Sequence, residues 1–277
     1  MPRLPRLRWI VAAVVLLPLV AYGLLVVLVQ PSNDREWTPD QARLATASSV
    51  GDSVHIENVR NAVYRSVSDF DVRWERRSYD LRDLETVWFI VEPFSKVRGP
   101  AHTFLSFGFG DSTFVSISVE LRKEVGESFH PLPGLLRQYE LQYVVGDERD
   151  LIGLRANHRH DSVFVYPVRT TPEKKRELFV AMLERATRLA ERPEFCNTLW
   201  SSCTTNIVSH INDISPERVP FSFKVLLPAY SDELAYDLGL LDTELPRDSF
   251  RQPHLINARA AAFADRPDFS LGIRARN

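Results

Sequence analysis

The sequence predicts an α+β protein, an antiparallel sheet packed with helices and preceded by one transmembrane helix. Three observations carry this reading. Trp9 to Val29 contains no charged residue, Val54 to Glu120 breaks into short alternating or apolar runs, and Pro172 opens a stretch with apolar residues at helical spacing.

The first run is dominated by Val, Leu, Ala and Ile. A helix rises 1.5 Å per residue, so about 20 apolar residues cross a hydrocarbon core of about 30 Å. Arg3, Arg6 and Arg8 precede it, and basic residues mark the flank retained in the cytoplasm. The chain beyond Val29 is therefore expected on the non-cytoplasmic side of the membrane. A cleaved signal peptide has an apolar core of about 7–15 residues with small residues at the cut, and Leu28, Val29 and Gln30 fit that poorly. A signal anchor is the expectation.

Residues 1–8 thus read as a cytoplasmic N-terminus, 9–29 as the anchor, 30–53 as a linker, 54–245 as the main domain and 246–277 as a C-terminal extension. The linker is polar, with Pro31, Ser32, Asn33, Asp34 and Pro39, and leaves room for a short helix near 39–47. Strands are expected at 54–56, 72–75, 87–91, 101–109 and 113–120. The last two flank a Gly-containing turn, which makes them neighbouring hairpin strands. Leu151 to Arg155 and Val163 to Pro167 read as further strands.

The helix opened by Pro172 has Thr171 as N-cap and Glu173 in its first turn. Its apolar positions are Leu178, Phe179, Met182, Leu183, Ala186, Leu189 and Ala190. Another helix is expected from Cys203, and weaker helical signals run from Ser231 to Leu241. The stretch from Pro246 has little periodicity and reads as a solvated tail.

With 34 Lys and Arg against 36 Asp and Glu, the chain offers no basic face for nucleic acid. Two cysteines are too few for a disulfide scaffold, so an ordinary hydrophobic core must hold the domain. No cofactor motif is present. Cys196 and Cys203 lack the close spacing of zinc ligands, and His158-Arg159-His160 stands alone, so no metal is expected.

Chemistry is expected at Cys203. Ser202 can cap the helix that follows, which sets the cysteine in the first turn. There the partial positive charge favours a thiolate and free N–H groups can hold an oxyanion. Of seven histidines, His102 lies in an apolar strand, where an imidazole needs a partner. His130, His158 and His160 lie in polar surroundings. His102 is the candidate base, and Glu120, ahead of Ser118 or Ser116, is the candidate to orient it across the hairpin. A structural role for either residue, and a Cys196–Cys203 disulfide, remain the alternatives.

The longer motifs of the chain are Ala101-His102-Thr103-Phe104, Ser118 to Glu124, Arg137-Gln138-Tyr139-Glu140-Leu141, Asp147-Glu148-Arg149-Asp150, Phe195, Asn197-Thr198-Leu199 and Cys203-Thr204-Thr205-Asn206. Through them the chain resembles the Lnb N-terminal periplasmic domain family over roughly 52–241. The order histidine, then a cysteine opening a helix, also resembles the permuted papain-like fold of lecithin:retinol acyltransferase-type and NlpC-type proteins. The resemblance implies a thiol acyltransferase or hydrolase acting on membrane lipid or lipoprotein, with Cys203 as nucleophile, His102 as base and Glu120 as orienter. A peptidoglycan peptidase or amidase and a noncatalytic envelope module are the other readings. The chain departs from the family pattern at Cys196, where a tyrosine is expected, and at Ser201-Ser202, where an asparagine often precedes the cysteine.

Overall fold

A computed structural model describes residues 4–95, 97–128, 138–197 and 201–275; within the first helix the side chains at 4–8, 10, 11 and 15 fall outside that description. His130, Arg137, Thr198 and Leu199 lie outside the described residues.

The chain begins with helix α1 (Leu4–Leu28), which contains Pro18. Among the described residues no helix is long and apolar enough to cross a membrane; the longest stretch of α1 with described side chains is 16–28.

The domain is built on an eight-stranded sheet of β1 (Thr46–Val50), β2 (Ser53–Arg60), β5 (Trp74–Asp80), β6 (Leu84–Pro93), β7 (Ala101–Phe109), β8 (Thr113–Arg122), β9 (Glu140–Gly146) and β10 (Phe164–Pro167). Its order is β1-β2-β9-β8-β7-β6-β10, with β5 paired to β2. Short strands β3 (Val63–Tyr64) and β4 (Phe70–Asp71) form a separate ribbon. The β6 to β9 pairs are all antiparallel, as expected. The β7–β8 hairpin pairs Phe104 with Ser118, and Gly110 at its turn has φ +55°, a conformation that favours glycine.

The helices are α2 (Glu148–Gly153), α3 (Pro172–Glu191), α4 (Cys203–Ile214), α5 (Phe223–Leu226), α6 (Ser231–Asp237), α7 (Asn257–Ala262) and α8 (Phe269–Gly272). Thr171 Oγ1 accepts from Lys174 N and caps α3. The buried face of α3 is Leu178, Phe179, Met182, Leu183, Ala186 and Leu189, the stripe its spacing predicts. Each of these Leu, Phe and Met side chains contributes about 1.5–3 kcal/mol by leaving water. These side chains pack on Val87, Leu105 and Phe107, with the Phe107 and Phe179 rings 4.9 Å apart. Ile207 and Ile211 of α4 join the same core.

On the other face Ile90, Phe104 and Val144 form a second core with Leu151, Ile152, Ile256 and Phe269. Alternation along β7 produces the split: Thr103, Leu105 and Phe107 face α3 and α4, while His102 and Phe104 face the second core.

Three segments differ from their expected form. Leu151 to Arg155 is the end of α2 running into a π-helical turn, not a strand; Asp147 caps α2 by accepting from Arg149 N, which commits the chain to a helix. The stretch from Pro246 is not a solvated tail, because Phe250, Ile256, Phe269 and Ile273 are buried in it; its helices are too short for periodicity to register. The residues read as a linker are packed on the domain. Ser32 N donates to Glu140, Asn33 donates to the Leu189 and Ala190 carbonyls, Trp37 is buried, and 46–50 form β1 where the expected helix gives way after one turn at Pro39–Gln41.

Candidate functional site

His102 is the second residue of β7, two positions beyond the Phe104–Ser118 pair. Its Nε2 lies 2.7 Å from Ser118 Oγ, and Ser118 Oγ lies 2.8 Å from Glu120 Oε1. Ser118 has one proton and an ionised Glu120 only accepts. The chain therefore runs from His102 Nε2–H to Ser118, and from Ser118 O–H to Glu120. That fixes the tautomer and leaves Nδ1 as the imidazole's basic nitrogen.

Burial, and then the nearby Arg155 guanidinium, lower His102 to about 3, so the ring is neutral across the physiological range. Glu120 moves down despite burial, because the attraction of Arg155 and then Arg60 outweighs desolvation. Arg155 Nη2 is 2.9 Å from Glu120, and its Nε is 2.5 Å from Glu92. Burial pushes Glu92 up to about 7. One guanidinium thus serves two carboxylates, and it also stacks over the Phe104 ring at 4.9 Å.

Arg155 and the relay role of Ser118 are what sequence reading missed. The available signal was a single arginine at the end of the apolar run Leu151-Ile152-Gly153-Leu154, where a buried charge demands partners.

Cys203 opens α4, and Ser202 Oγ accepts from Thr205 N as the cap. The next residue, Thr204, is buried with Oγ1 2.9 Å from Thr103 Oγ1. His102 and Cys203 therefore flank one contact, Thr103 to Thr204, that joins β7 to α4. His102, Ser118 and Glu120 are brought together; no hydrogen bond to Cys203 is found among the described contacts of His102. Cys203 and Cys196 are both free thiols. Cys196 Sγ donates to the Ser201 carbonyl at 3.3 Å, and burial raises it to about 12.

On the α4 side of the sheet Thr204 borders a cavity of about 600 Å³ lined mainly by Val87, Phe89, Leu105, Leu178, Ile207 and Ile211. This falls in the range of small-molecule sites, about 300–1,000 Å³. Lys174 and Arg218 also line it.

Among the described residues the remaining motifs form ion pairs and hydrogen bonds. Glu148 pairs with Arg274 and accepts from Ser106. Asp150 takes both Nε and Nη2 of buried Arg60 at 2.9 Å. Glu140 holds Arg35 and Ser32, and Tyr139 donates to the Ser128 carbonyl. His210, buried in α4, lies 2.9 Å from Tyr143 Oη. Among the described residues no group of three or more His, Cys, Asp or Glu is arranged to hold a metal ion.

These features define a mixed α/β domain with a cysteine at the head of a sheet-packed helix and a buried charge network on the opposite face. The chain belongs to the Lnb N-terminal periplasmic domain family, whose sequence model matches residues 70–229. The match contains His102, Ser118, Glu120, Arg155 and Cys203. No curated protein and no solved structure matches the chain.

Proposed function

We propose that this chain is a membrane-anchored periplasmic cysteine acyltransferase or acyl hydrolase acting on lipid or lipoprotein. The anchor is the span 9–29, uncharged throughout, with residues 9–28 lying in a 25-residue helix. In the reaction the Cys203 thiolate attacks an acyl carbonyl, the C–O bond to the donor alcohol breaks, and the alcohol leaves with a proton. An amine or water then attacks the thioester and restores the thiol. His102, whose ring is held by Ser118 and Glu120, is the base of this reading and takes and returns the proton around the start of β7, where it is the second residue.

The supporting observation is the Thr103–Thr204 contact, which joins the residue after His102 at the start of β7 to the residue after Cys203 at the head of α4. The aliphatic cavity bordered by Thr204 suits an acyl chain better than a peptidoglycan stem.

The full chain, incubated with phospholipid carrying a labelled acyl group, is expected to form a hydroxylamine-sensitive thioester. Cys203→Ala abolishes it. His102→Ala slows it and changes its pH profile, which a merely structural histidine would not do. Thioester formation that survives both substitutions overturns the proposal; so does labelling by a muropeptide but not by phospholipid.

A further inference from the structure

Exposed large apolar residues gather at one end of the sheet. β6 ends at Pro93, β7 starts at Ala101, β8 ends at Arg122 and β9 starts at Glu140, and the pairs Pro93–Ala101 and Arg122–Glu140 put all four at the same end. Phe94 and Val97 project from the β6–β7 connection there, and Val125 follows β8; Val97 is 73% exposed.

The segment before and within α5 belongs to the same end. Ala229 N donates to the Gly99 carbonyl, and the Arg98 guanidinium sits 4.2 Å over the Tyr230 ring. The Phe223 ring lies 6.0 Å from Tyr230. This ties α5 and the residues around it to the connection that carries Phe94 and Val97, with Phe221 79% exposed and Phe223 59%. Val225, between them in sequence, lines the aliphatic cavity on its inner side.

The chain leaving α1 is fastened to this end as well. Ser32 and Arg35 bind Glu140, Arg35 also binds Glu124, and Thr38 N donates to the Lys123 carbonyl. Exposed aromatic and aliphatic side chains in one patch mark an interaction surface, and such side chains are favoured at the water–bilayer boundary. What selects a bilayer as the occupant is that the last residue of α1, Leu28, stands four positions before Ser32 at the same end.

We propose that the end of the sheet carrying Phe94, Val97, Val125, Phe221, Phe223 and Leu227 seats in the interfacial layer of the membrane that α1 enters. This rests on the reading of α1 as an anchor and assigns the domain an orientation: the head of α4 and the Val225 wall of the cavity face lipid, and the β7–β8 turn faces away. An acyl chain then passes from bilayer to cavity past α5 without crossing water.

The test places a tryptophan at Phe223→Trp or Val97→Trp in the full chain, with Ser112→Trp in the β7–β8 turn as the distal control. Each variant is reconstituted in vesicles of phosphatidylethanolamine and phosphatidylglycerol, with and without bromine on the acyl chains. The added emission at positions 223 and 97 is expected to be largely lost in brominated vesicles, while that at 112 is retained. Chain that floats with vesicles but is quenched no more at 223 and 97 than at 112 overturns the orientation alone, the result expected of a patch that faces a protein. Chain that does not float overturns the anchor and the orientation together.

Discussion

The two faces of the central sheet are held by different physics. On the α3 and α4 side, Leu178, Phe179, Met182, Leu183, Ile207 and their partners from β6 and β7 form an aliphatic and aromatic core, with buried Asp232 paired to Arg251 at its Tyr166 edge. On the opposite side, among Ile90, Phe104, Leu151 and Ile152, the sheet buries Arg155 with Glu92 and Glu120, Arg60 with Asp150, and Arg274 with Glu148. The first face gains stability in many small increments and tolerates loss of any one. The second depends on complete pairing, since each charge left alone in a dry site costs more than its pair contributes.

The largest expected effect that tests this contrast is Arg155→Ala. It strands Glu92 and Glu120 together, and loss of a buried partner costs about 3–5 kcal/mol, read as a fall in urea midpoint. A loss under about 1 kcal/mol, the worth of an exposed pair, would show that water already enters the network.

Next is the pH response of His102. Its folded value, about 3, lies below the ordinary 6.5, so as pH falls below 6.5 the unfolded chain takes up a proton the folded chain refuses. Stability drops over that window, by up to about 2 kcal/mol between pH 6.5 and 5. Glu92, raised to about 7, acts in the opposite direction between about 7 and 4.5, so the measurement is the difference between wild type and His102→Gln. The wild type should lose more stability on acidification; equal losses break the assignment of a buried neutral ring.

Thr103→Val should cost about 1–3 kcal/mol, the price of leaving a buried hydroxyl of Thr204 unpaired, and should also reduce Cys203 labelling. Unchanged labelling would uncouple β7 from the head of α4. The smallest effect is Arg65→Ala, which breaks exposed pairs with Asp69 and Asp71 and should leave the thermal midpoint nearly unchanged.

The same contrast explains what could be read from sequence. The α3 stripe, its Thr171 cap, the β7–β8 hairpin and the Ser202 cap follow from local periodicity and side-chain chemistry, so each was legible. So was the His102 to Glu120 neighbourhood, because a hairpin joins residues close in the chain. Arg155 was not, since its partners Glu92 and Glu120 lie 63 and 35 positions away, and no local pattern encodes a pairing over that span. The C-terminal stretch was misread for a related reason: Phe250, Ile256 and Phe269 are buried one at a time by short turns, which leaves no stripe.

The strapping of residues 32–38 to Glu140, Glu124 and Lys123 sets a mechanical limit on the whole molecule. From Leu28, the last residue of α1, to Ser32, which donates to Glu140, the backbone takes four steps, at most about 14 Å when fully extended. With α1 as the proposed anchor, a head on so short a stem stays at the foot of that helix, and a lipid substrate reaches it by diffusion in two dimensions.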